Sequence, residues 1–181
     1  MMSLILKISR AIDAVTELFG RYVSWFVLAA VLVSAANAIS RKAFNVSSNA
    51  WLELQWYFFG AVFMLTAADA LRRNAHVRID IVTSMLTQKT RDVIDLVCHI
   101  TFLTPFCILM SWLSWTFFLR AALSGETSSN FGGLVIWPAR FLILLGFVLL
   151  LFQAVSEIIK RIAVLRGVSI DTPSDEGLDL L

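Results

Sequence analysis

Apolar positions gather into four long runs, at 22–40, 50–71, 93–119 and about 134–159, separated by polar segments. The first run carries no charge. The second holds Glu53 and Asp69 near its ends, and Arg140 interrupts the start of the fourth. About 20 helical residues cross ~30 Å of hydrocarbon, so each run predicts a membrane-spanning helix. The fold class expected is all-α: a polytopic membrane protein of four transmembrane helices with amphipathic interfacial helices. Its parts are one membrane domain over 1–166 and a flexible tail over 167–181, where Asp171, Pro173, Asp175, Glu176 and Asp179 supply no apolar face.

The polar stretches refine this reading. In 1–20, Leu4, Ile5, Ile8, Ile12, Val15 and Phe19 share one helical face, and Lys7, Arg10, Asp13 and Glu17 share the other. That pattern predicts a helix lying on the membrane surface. Between the second and third runs, Asp80 is placed to cap a short interfacial helix carrying Ile81, Val82, Met85 and Leu86, and Thr87 to cap the third helix. Within the third run, Pro105 removes a backbone hydrogen bond and predicts a bend, with the Thr101 hydroxyl near the freed carbonyl.

Charge then orients the chain. Four crossings put both termini on one side, with Lys7, Arg10, Arg21, Arg72, Arg73, Arg78, Lys89, Arg91, Lys160, Arg161 and Arg166. Arg41, Lys42, Arg120 and Arg140 fall on the other. Basic residues concentrate on the cytoplasmic side of inner-membrane proteins, so both termini are expected in the cytoplasm. The same asymmetry explains the basic residues without nucleic acid. Trp51, Trp56, Trp112, Trp115 and Trp137 fall in the outer half, as an interfacial aromatic belt would.

At 59% hydrophobic and 15% charged, the 181 residues leave no room for a soluble domain beside the spans. Cys98 and Cys107 lie about 13 Å apart along one helix and on opposite faces, so they cannot pair. The first run followed by Ala36-Asn37-Ala38 has some likeness to a cleaved signal. Its long leader containing Asp13 and Glu17 argues for a retained span.

Candidate contact residues follow from polar or small positions inside the apolar runs. Ala30, Ser34 and Ala38 repeat at the spacing that lets helix backbones approach closely, and Asn37 continues a polar seam toward Arg41. Glu53, Trp56, Tyr57 and Gly60 share a face of the second span, where Arg41 or Arg140 could pair with Glu53. Thr104, Cys107, Ser111 and Ser114 form a small polar stripe on the third. The Gly132-Gly133 pair has no Gly-Lys-Ser/Thr after it, so the connection reads as an ordered turn beside Arg140 rather than a phosphate loop.

Taken in order, Trp51-Leu52-Glu53-Leu54-Gln55-Trp56, His76-Val77-Arg78-Ile79-Asp80, Pro105-Phe106, Gly125-Glu126-Thr127-Ser128 and Gly132-Gly133-Leu134 resemble the DctQ family. These are the small integral-membrane subunits of tripartite ATP-independent periplasmic (TRAP) transporters. The resemblance covers the chain from the first span to the end of the fourth.

It implies a scaffold subunit, not an enzyme, in the bacterial inner membrane. Its partners would be a large multi-span membrane subunit and a periplasmic substrate-binding protein that delivers an organic acid. Import would be driven by the sodium gradient, as secondary active symport, with no cofactor or metal held by this chain. Ser34, Asn37, Glu53, Trp56, Gly60, Thr104, Ser111 and Arg140 then become candidate contacts with the large subunit. His76, Arg78 and Asp80 form a candidate cytoplasmic motif, and Glu126, Ser128, Gly132 and Gly133 a candidate docking site for the binding protein.

Two other classes compete. A haem-bearing anchor of an oxidoreductase would need axial ligands from His76 and His99, one in a polar connection and the other in a span. A small self-assembling exporter would need a carboxylate within its spans, and the first span has none.

Overall fold

In a computed structural model, residues 2–46, 48–74 and 87–167 are described. They form α1 (Met2–Phe44), α2 (Asn49–Arg72), α3 (Gln88–Ser124) and α4 (Trp137–Leu165), each long and apolar enough to cross a membrane. Among the described residues the only strand-like feature is an isolated pairing of Thr127 with Val135. His76, Arg78, Asp80, the expected helix over 81–86 and the tail from 168 onward lie outside the described residues.

The element ends follow local chemistry. Asn45 takes a left-handed conformation, φ 53°, and stops α1. Thr87 caps α3 as expected, its hydroxyl accepting from the Thr90 amide at 3.4 Å. Pro138 sits in the first turn of α4, where its missing amide hydrogen costs nothing.

Neighbouring helices run antiparallel. The start of α1 meets the end of α4 at Ser9 and Ser156, and Gly20 of α1 meets Asp69 near the end of α2. Arg161 of α4 meets Asp92 at the start of α3, all at one end of the molecule. The opposite end joins the start of α2 to the α3–α4 connection. Helices α1, α2 and α4 pack mutually around Val23, Ala61, Leu65, Ala68 and Leu149, with Phe26 of α1 against Phe58 of α2. Helix α3 packs chiefly along α4, bringing Phe106 edge-on to Phe147.

Close approach explains the tight seams. A methyl group on Gly146 would come within 2.7 Å of Met64 Cβ, so α4 crosses α2 where only glycine fits. Cys107 and Ser114 are buried and Ser111 is half-buried. The polar stripe of the third span is therefore taken up inside the chain, against α4.

Two expectations change. The segment 1–20 is not separate from the first span: α1 continues unbroken for 43 residues. At 1.5 Å per residue that is about 65 Å, roughly twice the hydrocarbon thickness. Its inward side is the polar one, because Ser9 and Thr16 are buried whereas Ile8, Val15 and Leu18 are exposed. Those small polar groups find partners on α4, while the larger apolar ones face outward.

The hydrogen bonding before Pro105 also differs. A π-helical turn, His99–Leu103, precedes the proline and widens the backbone where its ring would strike the carbonyl one turn earlier. Thr101 donates to Val97 O at 2.7 Å, not to the freed carbonyl, and Thr104 donates to His99 O at 2.8 Å.

Candidate functional site

Glu53 stands in the second turn of α2, so its side chain reaches the connection between α3 and α4. That connection folds back upon it. Ser128 Oγ donates to Glu53 Oε1, Asn130 Nδ2 donates to the same oxygen at 2.8 Å, and the Leu134 amide donates to Oε2 at 2.7 Å. Both carboxylate oxygens are thus engaged, in hydrogen bonds strengthened by the negative charge.

The loop supports this arrangement with its own backbone bonds: Ser128 N to Leu134 O at 2.9 Å, Gly133 N to Asn130 O at 2.9 Å, and Ile136 N to Glu126 O at 3.0 Å. Two further α2 side chains tie it down. Asn49 donates to Phe131 O at 3.0 Å and Tyr57 to Val135 O at 2.8 Å. Gly133 is required by space, since a Cβ there would lie 2.6 Å from Ser128 Cβ and 2.8 Å from Glu53 Oε1. At the tip, Phe131 is 97% exposed.

Neither arginine suggested for Glu53 is its partner. Arg140 Nη2 pairs with Glu126 Oε2 at 2.9 Å, Nη1 reaches Phe117 O at 3.4 Å, and the guanidinium lies 4.0 Å above the Phe117 ring. Uncharged donors satisfy Glu53 because the loop is short enough to bring its amides to the carboxylate. The structure therefore joins Glu53, Ser128, Gly133, Glu126 and Arg140 into one end assembly, whereas the sequence had divided them between two partners.

The remaining candidates are dispersed. Trp56 is 73% exposed and Gly60 has open space beside it. Ser34 and Asn37 are half-buried on α1. Thr104 is half-buried at the π turn, and Ser111 Oγ is buried without a hydrogen-bond partner among the described residues.

A second polar assembly occupies the other end, and the sequence reading missed it. Lys160 of α4 lies 3.0 Å from Asp13 Oδ2 and 2.5 Å from Glu157 Oε1, with only 7% of its side chain exposed. Gln153 Nε2 donates to Asp13 Oδ1 at 2.9 Å and to Glu157 Oε1 at 3.0 Å. Ser156 Oγ donates to Asp13 Oδ1 at 2.9 Å, and Ser9 Oγ lies 2.7 Å from Ser156 Oγ. Gln153, Ser156, Glu157 and Lys160 recur at helical spacing on one face, a signal visible in the fourth run.

Two smaller knots lie at the same end. Asp69, nearly buried, receives Arg72 Nη2 at 2.9 Å and Arg73 Nε at 2.8 Å, and Gly20 packs so closely that a Cβ would lie 2.5 Å from Asp69 Oδ2. Arg161 joins α4 to α3 through Asp92 at 2.5 Å and Asp95 at 3.2 Å. Basic residues that the sequence assigned to orientation thus also bind helix to helix. His99 Nδ1 lies 2.5 Å from the Asp95 carbonyl oxygen, one turn earlier on its own helix.

The model of the DctQ family, described as the DctQ component of tripartite ATP-independent periplasmic transporters, matches residues 30–164. No curated protein and no solved structure matches the chain.

Proposed function

Because the chain belongs to the DctQ family, and so is the small membrane subunit of a TRAP transporter rather than an enzyme, we propose that it is the fixed scaffold of a sodium-driven importer of an organic acid. A large membrane subunit carries the substrate across, and a periplasmic binding protein delivers it. The protein lies in the bacterial inner membrane with both termini in the cytoplasm. This chain binds no cofactor; the sodium gradient acts on the assembled transporter.

The observation that carries the scaffold reading is how ionisable groups are used. Glu53, Asp69, Asp92, Glu157 and Lys160 are all engaged by partners within this chain: Asp92 and Lys160 reach another helix, and Glu53 reaches the α3–α4 connection. Such groups hold helices in register. A carrier needs intramembrane charges that exchange partners during transport.

The loop supports a docking role at the outer surface. Glu53 holds its backbone while Phe131, Gly132 and the half-exposed Glu126 remain accessible. A surface held rigid before contact loses little entropy on binding. Exposed Trp56 and half-buried Ser34 and Asn37 supply candidate contacts for the large subunit.

Reconstitution in proteoliposomes tests the reading. Uptake of an organic acid should require this chain, the large subunit, the binding protein and an inward sodium gradient together. Uptake by the large subunit and binding protein at the full rate without this chain would refute it.

A further inference from the structure

One groove lies along the α3–α4 seam toward the Glu53 end. It has a volume of about 510 Å³ and is lined by Met110, Leu113, Ser114, Phe117 and Arg120 of α3 and Ile143 of α4. Met110, Leu113, Phe117 and Arg120 recur at i, i+3, i+7 and i+10, so the groove follows a single face of α3. From Met110 to Arg120 that face rises about 15 Å, half the thickness of the hydrocarbon core. One leaflet has the same depth.

The two ends of the groove differ in chemistry. Its floor is apolar, and its small polar groups are already occupied or covered: Thr116 at its edge donates to Leu113 O at 2.9 Å, and Ser114 is buried. Its mouth holds Arg120, an exposed cation that has no ion pair among the described residues. Nearby Arg140 contrasts with it, because Glu126 already neutralises that guanidinium at 2.9 Å. An unpaired guanidinium one leaflet away from the end of an apolar channel complements an amphiphile with an anionic head and one long chain.

We propose that this groove is a binding site for an anionic phospholipid of the leaflet at the Glu53 end. The headgroup phosphate pairs with Arg120, and one acyl chain lies over Phe117, Leu113 and Ile143 toward Met110. The lipid fills the seam where α3 rests on α4. The site is independent of the scaffold reading and of which leaflet that end faces.

Native mass spectrometry of the full chain, delipidated in mild detergent, tests the site. Phosphatidylglycerol, phosphatidylcholine and inorganic phosphate are the probes. Phosphatidylglycerol should be retained in preference to phosphatidylcholine, and Arg120→Gln should weaken its retention roughly tenfold, the size of one charge-assisted contact. Leu113→Trp, which fills the channel, should abolish retention although Arg120 remains, and circular dichroism checks its fold. Arg41→Gln removes another cation of the same end, away from the groove, and should change nothing. Equal retention of both lipids, equal effects of Arg120→Gln and Arg41→Gln, or displacement by inorganic phosphate at the lipid's own concentration would each overturn the proposal.

Discussion

Gly133 and Glu53 touch so closely that a methyl group on Gly133 would come within 2.8 Å of the Glu53 Oε1 atom. The contact joins the α3–α4 connection to α2, and it depends on both residues: a carboxylate long enough to reach the loop, and a loop position with no side chain. Gly133→Ala should therefore push the loop off Glu53, and Glu53→Gln should leave the Leu134 amide facing a poorer acceptor. Each should lower the unfolding midpoint, because the charge-assisted bonds that hold the loop to α2 are weakened. Thermal unfolding in detergent measures the loss. Faster thiol labelling of Ser129→Cys in both backgrounds should accompany it.

Lys160 makes a sharper case. Lys160→Met leaves Asp13 and Glu157 facing each other without a cation, and should destabilise the chain by about 3–5 kcal/mol. Adding Asp13→Asn and Glu157→Gln to Lys160→Met removes the uncompensated charge and should restore most of the stability. Unfolding midpoints of the single and triple variants decide between a structural network and a merely solvated cluster.

Gly20→Ala tests the α1–α2 seam. The new Cβ would lie 2.5 Å from Asp69 Oδ2, and Asp69 is held by both Arg72 and Arg73. Overpacking of this kind costs about 1–3 kcal/mol. Asp69→Asn combined with Gly20→Ala should not recover it, because the steric demand persists.

Glu126 separates assembly from docking. Glu126→Lys places a cation beside Arg140 in place of the 2.9 Å ion pair. The membrane complex should still be recovered, because Glu126 is half-exposed and the loop is held mainly through Glu53. Uptake should slow at limiting binding protein and recover as that protein is raised, since a rim charge chiefly alters association rate. Co-purification and initial uptake rates measure the two effects separately.

Orientation rests on the basic residues and is checked by labelling. Ser129→Cys should react with a membrane-impermeant thiol reagent from outside intact spheroplasts, and Asn74→Cys only after lysis. The reverse pattern would invert the proposed topology.

The four spans were legible because a long apolar run has few alternatives in a lipid bilayer. Thr87 was legible as a cap because the device is local. Partner choice was not. Glu53 was visible as an intramembrane charge, yet its partners lie at 128, 130 and 134, brought close only by the packing of α2 beside α4. Asp13 and Lys160 failed for the same reason: each is accounted for locally by an amphipathic face or by topogenic charge, and only the fold shows that 147 residues separate two serines in hydrogen-bond contact beside them. The π turn before Pro105 escaped because the sequence announces a proline's defect but not which backbone adjustment absorbs it.

The unbroken course of α1 fixes a phase relation along the chain. Ser9 and Asp13 must face α4 while Gly20 and Val23 face the α2 side, and nothing between them can absorb rotation. One alanine inserted after Glu17 would turn the first four and a half turns of the helix by about 100° and swing Asp13 away from Lys160. Seven inserted residues would bring the azimuth back to within about 20° but lift Asp13 roughly 10 Å along the axis. Length and angle cannot both be restored, so this stretch should tolerate substitutions on its outer side far more readily than any change in residue number.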